Sequence, residues 1–141
     1  MRLYFAFGSN MDRAHMERLC RGAEALGLAR LDHHQFFIAH AGYASIAPKR
    51  GASVHGVLWK ITPPHLAKLD AYESVEAGLY RLVAVPVHHG EKLLRALAYV
   101  ASDARPGKPK AGYQEGVLAA ARAWQLPADY LRELEALVSK S

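Results

Sequence analysis

The sequence predicts an α+β domain whose sheet is mostly mixed or antiparallel, and either open or closed into a small barrel. Two observations carry this. Strand-like patterning dominates the first two-thirds of the 141 residues, and apolar residues at helical spacing fill the last third. No internal repeat and no low-complexity segment interrupts either part. A chain of this length can bury roughly two-thirds of its unfolded surface, so residues 1–141 are expected to form one domain. Hydrophobic residues make up 51% and charged residues 22%, the composition of a globular chain rather than a disordered one.

Residues 3–7 are apolar and aromatic and end at Gly8, which marks a strand, central in the sheet. Gly8, Ser9 and Asn10 then open a helix over about residues 11–21, with Ser9 or Asn10 as N-cap and Asp12 in its first turn. Residues 23–41 are strand-like around a polar break, Asp32-His33-His34, expected to be a turn. Residues 42–51 are loop-like at their ends, with Lys49 and Arg50 exposed. Next, His55, Val57, Trp59 and Ile61 alternate as in a strand, within which Gly56 marks a close backbone approach. Thr62 caps a short helix with Pro63 at its first position and Leu66 and Leu69 on one face. A polar connection runs to Gly78, after which residues 79–87 and 93–101 read as a hairpin turning through residues 88–91. Pro106, Gly107 and Pro109 break the chain. Two helices follow, marked by Tyr113, Val117, Ala120 and Trp124, then, past Leu126 and Pro127, by Tyr130, Leu134 and Leu137.

The 18 Lys+Arg and 13 Asp+Glu leave +5, and residues 1–60 hold eight of the former against four of the latter. Such a balance suits a nucleic acid or a small anionic ligand. The chain has no basic helix face, finger spacing or RNA-recognition aromatic motif, so a nucleic-acid partner is not expected. Its apolar runs fall far short of the roughly 20 residues of a membrane span, so no membrane is expected. The first residues do not read as a secretory segment, and the single cysteine, Cys20, has no intrachain partner. A reducing cytoplasm is the expected location, and Cys20, in helical phase with Met16 and Leu19, reads as a buried structural thiol. The eight histidines include the neighbours His33/His34 and His88/His89, but strand neighbours point apart and no ligand spacing is present, so no metal is expected.

Two segments could carry chemistry. A strand that ends in a glycine turn and opens a helix aims backbone N–H groups at one point, backed by the helix dipole, and so makes an anion site. Gly8 lets a ligand come close, while Ser9 and Asn10 either add side-chain donors or cap the helix. The turn lacks the lysine of a P-loop and the three glycines of the dinucleotide fingerprint, which disfavours a nucleotide. The second segment, LDAYESVEAGLY at residues 69–80, sets Asp70, Glu73 and Glu76 between a helix end and a strand start. Loop acids are commonly solvated, but one buried in a pocket would have a raised pKa and act as general acid or base near neutrality. Pattern alone does not choose among the three. Ser9 does not sit in a nucleophile elbow, and neither it nor Cys20 has an assignable base.

These blocks resemble the gamma-glutamylcyclotransferase family and its avirulence-induced-gene relatives. YFAFGSNM, residues 4–11, is similar to the family's opening strand and loop, and GVLWKIT, residues 56–62, followed by LDAYESVEAGLY is similar to its second block. Tyr113 on the helix after the prolines is a third match. The resemblance implies a small mixed β-barrel with helices packed outside. It also implies a reaction without cofactor or metal, in which the α-amine of a γ-glutamyl group attacks its own γ-carbonyl and releases 5-oxoproline. Under it, Glu73 is the catalytic acid/base, Tyr4, Phe5, Ala6, Phe7, Gly8 and Ser9 cradle the substrate, and Tyr113 is a substrate contact. The implied partner is a small γ-glutamyl compound, bound by a monomer or homodimer.

Phe7 stands where the family usually has tyrosine, and Ser74 where glycine often follows the glutamate. Both departures point to an altered substrate, and they motivate an alternative, a non-catalytic module that binds a carboxylate ligand on the same fold. Spacing to Gly78 and Tyr80 favours Glu73 over Glu76. Loops around residues 43–52 and 104–110 are expected to recognise the leaving amine.

Overall fold

A computed structural model describes residues 2–138. Its strands are β1 (Arg2–Ala6), β2 (Glu24–Ile38), β3 (Ala44–Ile61), β4 (Tyr80–His89) and β5 (Lys92–Ala101). They close into a barrel in the order β1-β3-β2-β4-β5. All pairings are antiparallel except the closure, where β1 and β5 meet in parallel at Tyr4 and Leu97. Four helices join it: α1 (Arg13–Leu19), α2 (Pro63–Tyr72), α3 (Tyr113–Ala123) and α4 (Ala128–Ala136). The α+β class and the small mixed barrel are both as expected. Tyr4, Phe5 and Ala6 are each at most 3% exposed, because β1 lies between β3 and β5 with both faces covered; that is why its sequence is a run of apolar residues rather than an alternation.

Two local expectations are corrected along β2 and β3. Asp32-His33-His34 is no turn: β2 runs through it with a bulge, the register against β3 shifting between Asp32 and His34 and His33 adopting φ 59°. Asp32 stays paired opposite Ser53, whose hydroxyl donates to Asp32 Oδ1 at 2.9 Å, so its polar side chain is satisfied within the ladder. The loop-like ends expected for residues 42–51 hold at Gly42 and Tyr43, which precede β3, but not at the other end: residues 44–48 pair with residues 38–34 of β2 and Gly51 lies within the strand. Lys49 and Arg50 are exposed, as expected, and lie between the Pro48 and Ser53 pairings, in the stretch where β3 bulges opposite His33.

The start of α1 is the third correction. Ser9–Met11 forms a 3-10 turn in which Met11 N–H donates to Gly8 O at 3.1 Å and Asp12 N–H to Ser9 O at 3.2 Å. The N-cap of α1 is therefore Asp12, whose Oδ2 accepts from His15 N–H at 3.0 Å, and not Ser9 or Asn10. The turn is held from behind by α3, where Trp124 Nε1–H donates to Met11 O at 2.7 Å and the Arg13 guanidinium lies 3.8 Å over the Trp124 ring.

His65 locks α2 to the end of α1. Its Nδ1 accepts from Thr62 N–H at 3.1 Å and its Nε2 pairs with Arg21 O at 2.7 Å, which leaves the start of α2 no freedom to swing. Cys20 is fully buried, its thiol 3.8 Å from His65 O and pushed up by burial, as suits a structural thiol. A Cβ at Gly56 would run into the Ala6 carbonyl oxygen, so the close approach expected there is the contact of β3 with β1. Among the described residues no helix is long and apolar enough to cross a membrane.

Candidate active site

A cavity of ≈ 290 Å³ opens where the turn after β1 meets the end of α2. Tyr4, Phe5, Phe7, Gly8, Ser9 and Asn10 line it from the first stretch, and Glu73 from the second. Tyr113 lines it too. Ala6 does not; its backbone is turned against Gly56 on the neighbouring strand.

The end of α2 places Glu73. Glu73 N–H still donates to Leu69 O at 2.9 Å, as in a helix, and Ser74 then adopts φ 56°. That left-handed residue reverses the chain and returns Val75 N–H to Asp70 O at 3.0 Å, the stop that glycine ordinarily makes after a helix. The departure noted at Ser74 is thus a conformational one. A side chain there costs about 1–2 kcal/mol in backbone strain, and glycine would avoid it.

Burial now separates the three acids. Asp70 Oδ1 accepts from the Tyr99 hydroxyl at 2.6 Å, and Glu76 is exposed and off the lining. Glu73 is half-buried in the cavity, and burial pushes its carboxyl up to about 7. A carboxyl at that value takes up and gives back a proton near neutral pH.

Asn10 connects the two stretches. Its Nδ2 donates to the Tyr4 hydroxyl at 2.8 Å and to Glu73 Oε2 at 3.4 Å, while its Oδ1 accepts from His15 Nε2 at 2.8 Å. Burial, then the Arg18 charge, pushes the His15 ring down, so it stays neutral and donates from Nε2. That ring packs 5.0 Å from the Tyr72 ring, and the Tyr72 hydroxyl is 3.5 Å from Ser9 Oγ. The Tyr4 hydroxyl is pushed well up by burial first and the Glu73 charge second, and it stays neutral.

Tyr113 and Tyr80 hold the far wall. The Tyr113 hydroxyl oxygen accepts from Ala44 N–H at 3.1 Å and also faces Ser9 N–H; burial pushes it up to about 12. With N–H groups donating to its oxygen, its own hydrogen is left to point at a ligand. The Tyr80 hydroxyl donates to Ala44 O at 2.8 Å. Gly8 makes room for this arrangement, since a Cβ there would lie 2.8 Å from the Tyr113 hydroxyl oxygen. The room expected at Gly8 for a ligand is taken up by Tyr113.

Of the two loops expected to meet the leaving amine, the first supplies Tyr43 and Ala44 and the second nothing. Residues 104–110 are tied elsewhere: Gly107 N–H donates to Ile38 O at 2.8 Å and Lys110 N–H to Gly42 O at 3.0 Å. Sequence reasoning missed Asn10 as a bridge, and it did not single out Tyr72, Leu79 or Tyr99 for the lining. Tyr72 and Leu79 sat inside the acidic block, which was the available signal. Nothing local marks which face of β5 Tyr99 occupies.

A closed five-stranded barrel, with one half-buried carboxyl facing a glycine-serine-asparagine turn, defines a small-molecule site rather than a polymer surface. The sequence model of the AIG2-like family matches residues 53–134, more than half of the chain, and the chain belongs to that family. It is 29% identical over 148 aligned positions to human gamma-glutamylcyclotransferase, covering 96% of this chain and 78% of that one. A solved gamma-glutamyl cyclotransferase superposes with TM-score 0.90 at 26% identity, over 96% of this chain and 87% of the other. A yeast gamma glutamyl cyclotransferase specific to glutathione shares the fold at TM-score 0.64 and 13% identity, over 99% and 96% of the two chains. The resemblance to the family and the small mixed barrel are both borne out.

Proposed function

We propose that this chain is a γ-glutamyl cyclotransferase with Glu73 as its general acid/base. The observation that carries the reading is the Glu73 carboxyl, held up to about 7 in a cavity that the Gly8-Ser9-Asn10 turn also lines, with Asn10 3.4 Å from it. The matched relatives bearing that name support it.

The reaction asks little of the protein. The substrate's α-nitrogen forms a bond to the γ-carbonyl carbon, the bond from that carbon to the leaving nitrogen breaks, and 5-oxoproline departs with a free amine. No water is consumed and nothing is oxidised or reduced. Glu73 relays the two protons that the attacking ammonium sheds, one before attack and one as the ring closes, to the leaving nitrogen, which departs as an ammonium, and the carboxyl ends as it began. The Tyr113 O–H, its oxygen held by the Ala44 and Ser9 N–H groups, and the N–H of Gly8 donate to the substrate's carboxylate and to the oxyanion that develops on the carbonyl. Folding the glutamyl chain so that nitrogen and carbonyl meet replaces a bimolecular encounter, an advantage that reaches roughly 7–11 kcal/mol in well-oriented cases.

The test is 5-oxoproline release from γ-glutamyl-alanine, γ-glutamyl amines and glutathione, with Glu73→Gln as control. Release by the wild type that Glu73→Gln lacks supports the reading. Release undiminished in Glu73→Gln would remove Glu73 from its role. Calorimetric binding of these compounds with no product would favour the alternative carboxylate-binding module.

A further inference from the structure

Five large hydrophobic side chains are exposed among the described residues: Leu28, Tyr43, Tyr72, Leu79 and Leu93. Tyr43, Tyr72 and Leu79 line the catalytic cavity, at 37%, 46% and 38% exposure. They arrive from separate stretches of chain. Tyr43 precedes β3, and Tyr72 and Leu79 flank Glu73 on either side of the α2–β4 connection. Scattered exposed apolar groups mean nothing, but a cluster around one cavity marks a surface meant to be covered. Tyr43 is also held in place, standing edge-on to Tyr113 with ring centroids 5.2 Å apart.

The charge of the lining points the same way. Among the described residues no Lys, Arg or His side chain lines the cavity, and the acid in it is Glu73. The substrate's own α-carboxylate is answered by the turn and the Tyr113 hydroxyl. A leaving group with a carboxylate of its own would bring a second anion to a cationless mouth beside Glu73, where desolvation and like charge both disfavour it. Lys110 packs its stem against Gly42, next to Tyr43, but stays outside the lining.

Building on the cyclotransferase reading, we propose that Tyr43, Tyr72 and Leu79 are specificity-determining residues. They select γ-glutamyl compounds whose leaving amine is uncharged, apolar or aromatic, and without a carboxylate. The scissile nitrogen sits at Glu73, and the group it carries lies across these three side chains as it leaves.

Matched pairs that differ only in the carboxylate test this: γ-glutamyl-isoamylamide against γ-glutamyl-leucine, and γ-glutamyl-phenethylamide against γ-glutamyl-phenylalanine. The amide of each pair is expected to exceed its partner at least about tenfold in kcat/KM, with roughly fourfold gained per methylene along a linear amide series. Leu79→Arg sets a cation at the mouth on an exposed position that folding does not need, and it should reverse the preference within each pair. Equal or better turnover of the carboxylate members by wild type overturns the proposal, as does a pair ratio that Leu79→Arg leaves unmoved. A carboxylate preference that disappears in Lys110→Ala would assign the mouth to Lys110 instead, and overturn it too. If no compound yields 5-oxoproline, the cyclotransferase reading falls, and calorimetry of the same pairs on the wild-type protein then decides the selectivity of the mouth on its own.

Discussion

Asn10 donates its side-chain amide to Glu73 Oε2 across 3.4 Å, joining the turn after β1 to the end of α2. The same nitrogen donates to Tyr4 at 2.8 Å and the amide oxygen accepts from His15, and turning the amide over would set its oxygen against the Glu73 carboxylate. A donor to a carboxylate strengthens when the carboxylate ionises. Asn10 therefore favours the charged form of Glu73 against the burial that disfavours it.

Exchanging Asn10 for Asp replaces that donor by a second negative charge. Glu73 then has to ionise beside a like charge, and the rising limb of kcat/KM, expected near 7 in the wild type, moves up by about one pH unit or more. Asn10→Ala, which removes the donor without adding charge, moves it less. The pH dependence of 5-oxoproline release reads both shifts, and a limb unmoved in Asn10→Asp would separate Asn10 from the group that carries the proton.

Glu73→Gln should trade activity for stability. The folded carboxyl sits near 7 against an ordinary value of 4.5, so between these values the folded protein keeps a proton the unfolded chain has lost. Stability therefore falls as pH rises from about 4.5 through 7, and the whole penalty is present above 7. Glutamine does not ionise. The variant is expected to be about 1–3 kcal/mol more stable than wild type at pH 8, with the gap closing towards pH 4.5. It should also lose about 10²–10⁴-fold in kcat/KM. Urea melts at the two pH values measure the first effect, and a gap that widens towards acid would contradict it.

A methyl group on Gly8 meets the Tyr113 hydroxyl oxygen at 2.8 Å and Ala44 Cβ at 3.2 Å. Gly8→Ala is expected to cost about 1–3 kcal/mol by overpacking. In a Tyr113→Phe background the nearer atom is gone, so the two changes couple favourably by about 0.5 kcal/mol or more. Activity does not return in the double variant if the Tyr113 hydroxyl is, as proposed, itself a donor to substrate. Thermal melts and kinetics of the four proteins check both halves; strict additivity would mean that Gly8 and Tyr113 do not share space.

Ser74→Gly should stabilise the protein. It relieves the strain of φ 56° and gives back part of the gain by loosening the unfolded chain, for a net of about 0.5–1 kcal/mol and a Tm rise of about 1–4 °C. Turnover is retained, since the Leu69 bond that holds Glu73 is untouched. A lower Tm would show that the Ser74 side chain does something its backbone does not reveal.

Sequence patterning by itself determined several parts of this protein. The apolar run of β1, the glycine turn after it, the helix opened by Pro63 and the β4–β5 hairpin were legible because each is written in neighbouring residues: a period, a breaker, a cap. The quoted blocks also pointed to Glu73 and to the family.

Only the tertiary structure decided the rest. It made one continuous strand of residues 44–61, since pairing with β2 on both sides of Lys49 and Arg50, at Pro48 and at Ser53, carries the chain through that polar stretch. It moved the cap of α1 from Ser9 or Asn10 to Asp12 and released the Asn10 side chain to a carboxylate 63 residues away. It assigned Asp70 to Tyr99, left Glu76 in solvent and gave Glu73 the buried position that raises its pKa. Burial, strand pairing and the pKa of a carboxyl depend on atoms brought in from distant parts of the chain, and no short window of sequence contains them.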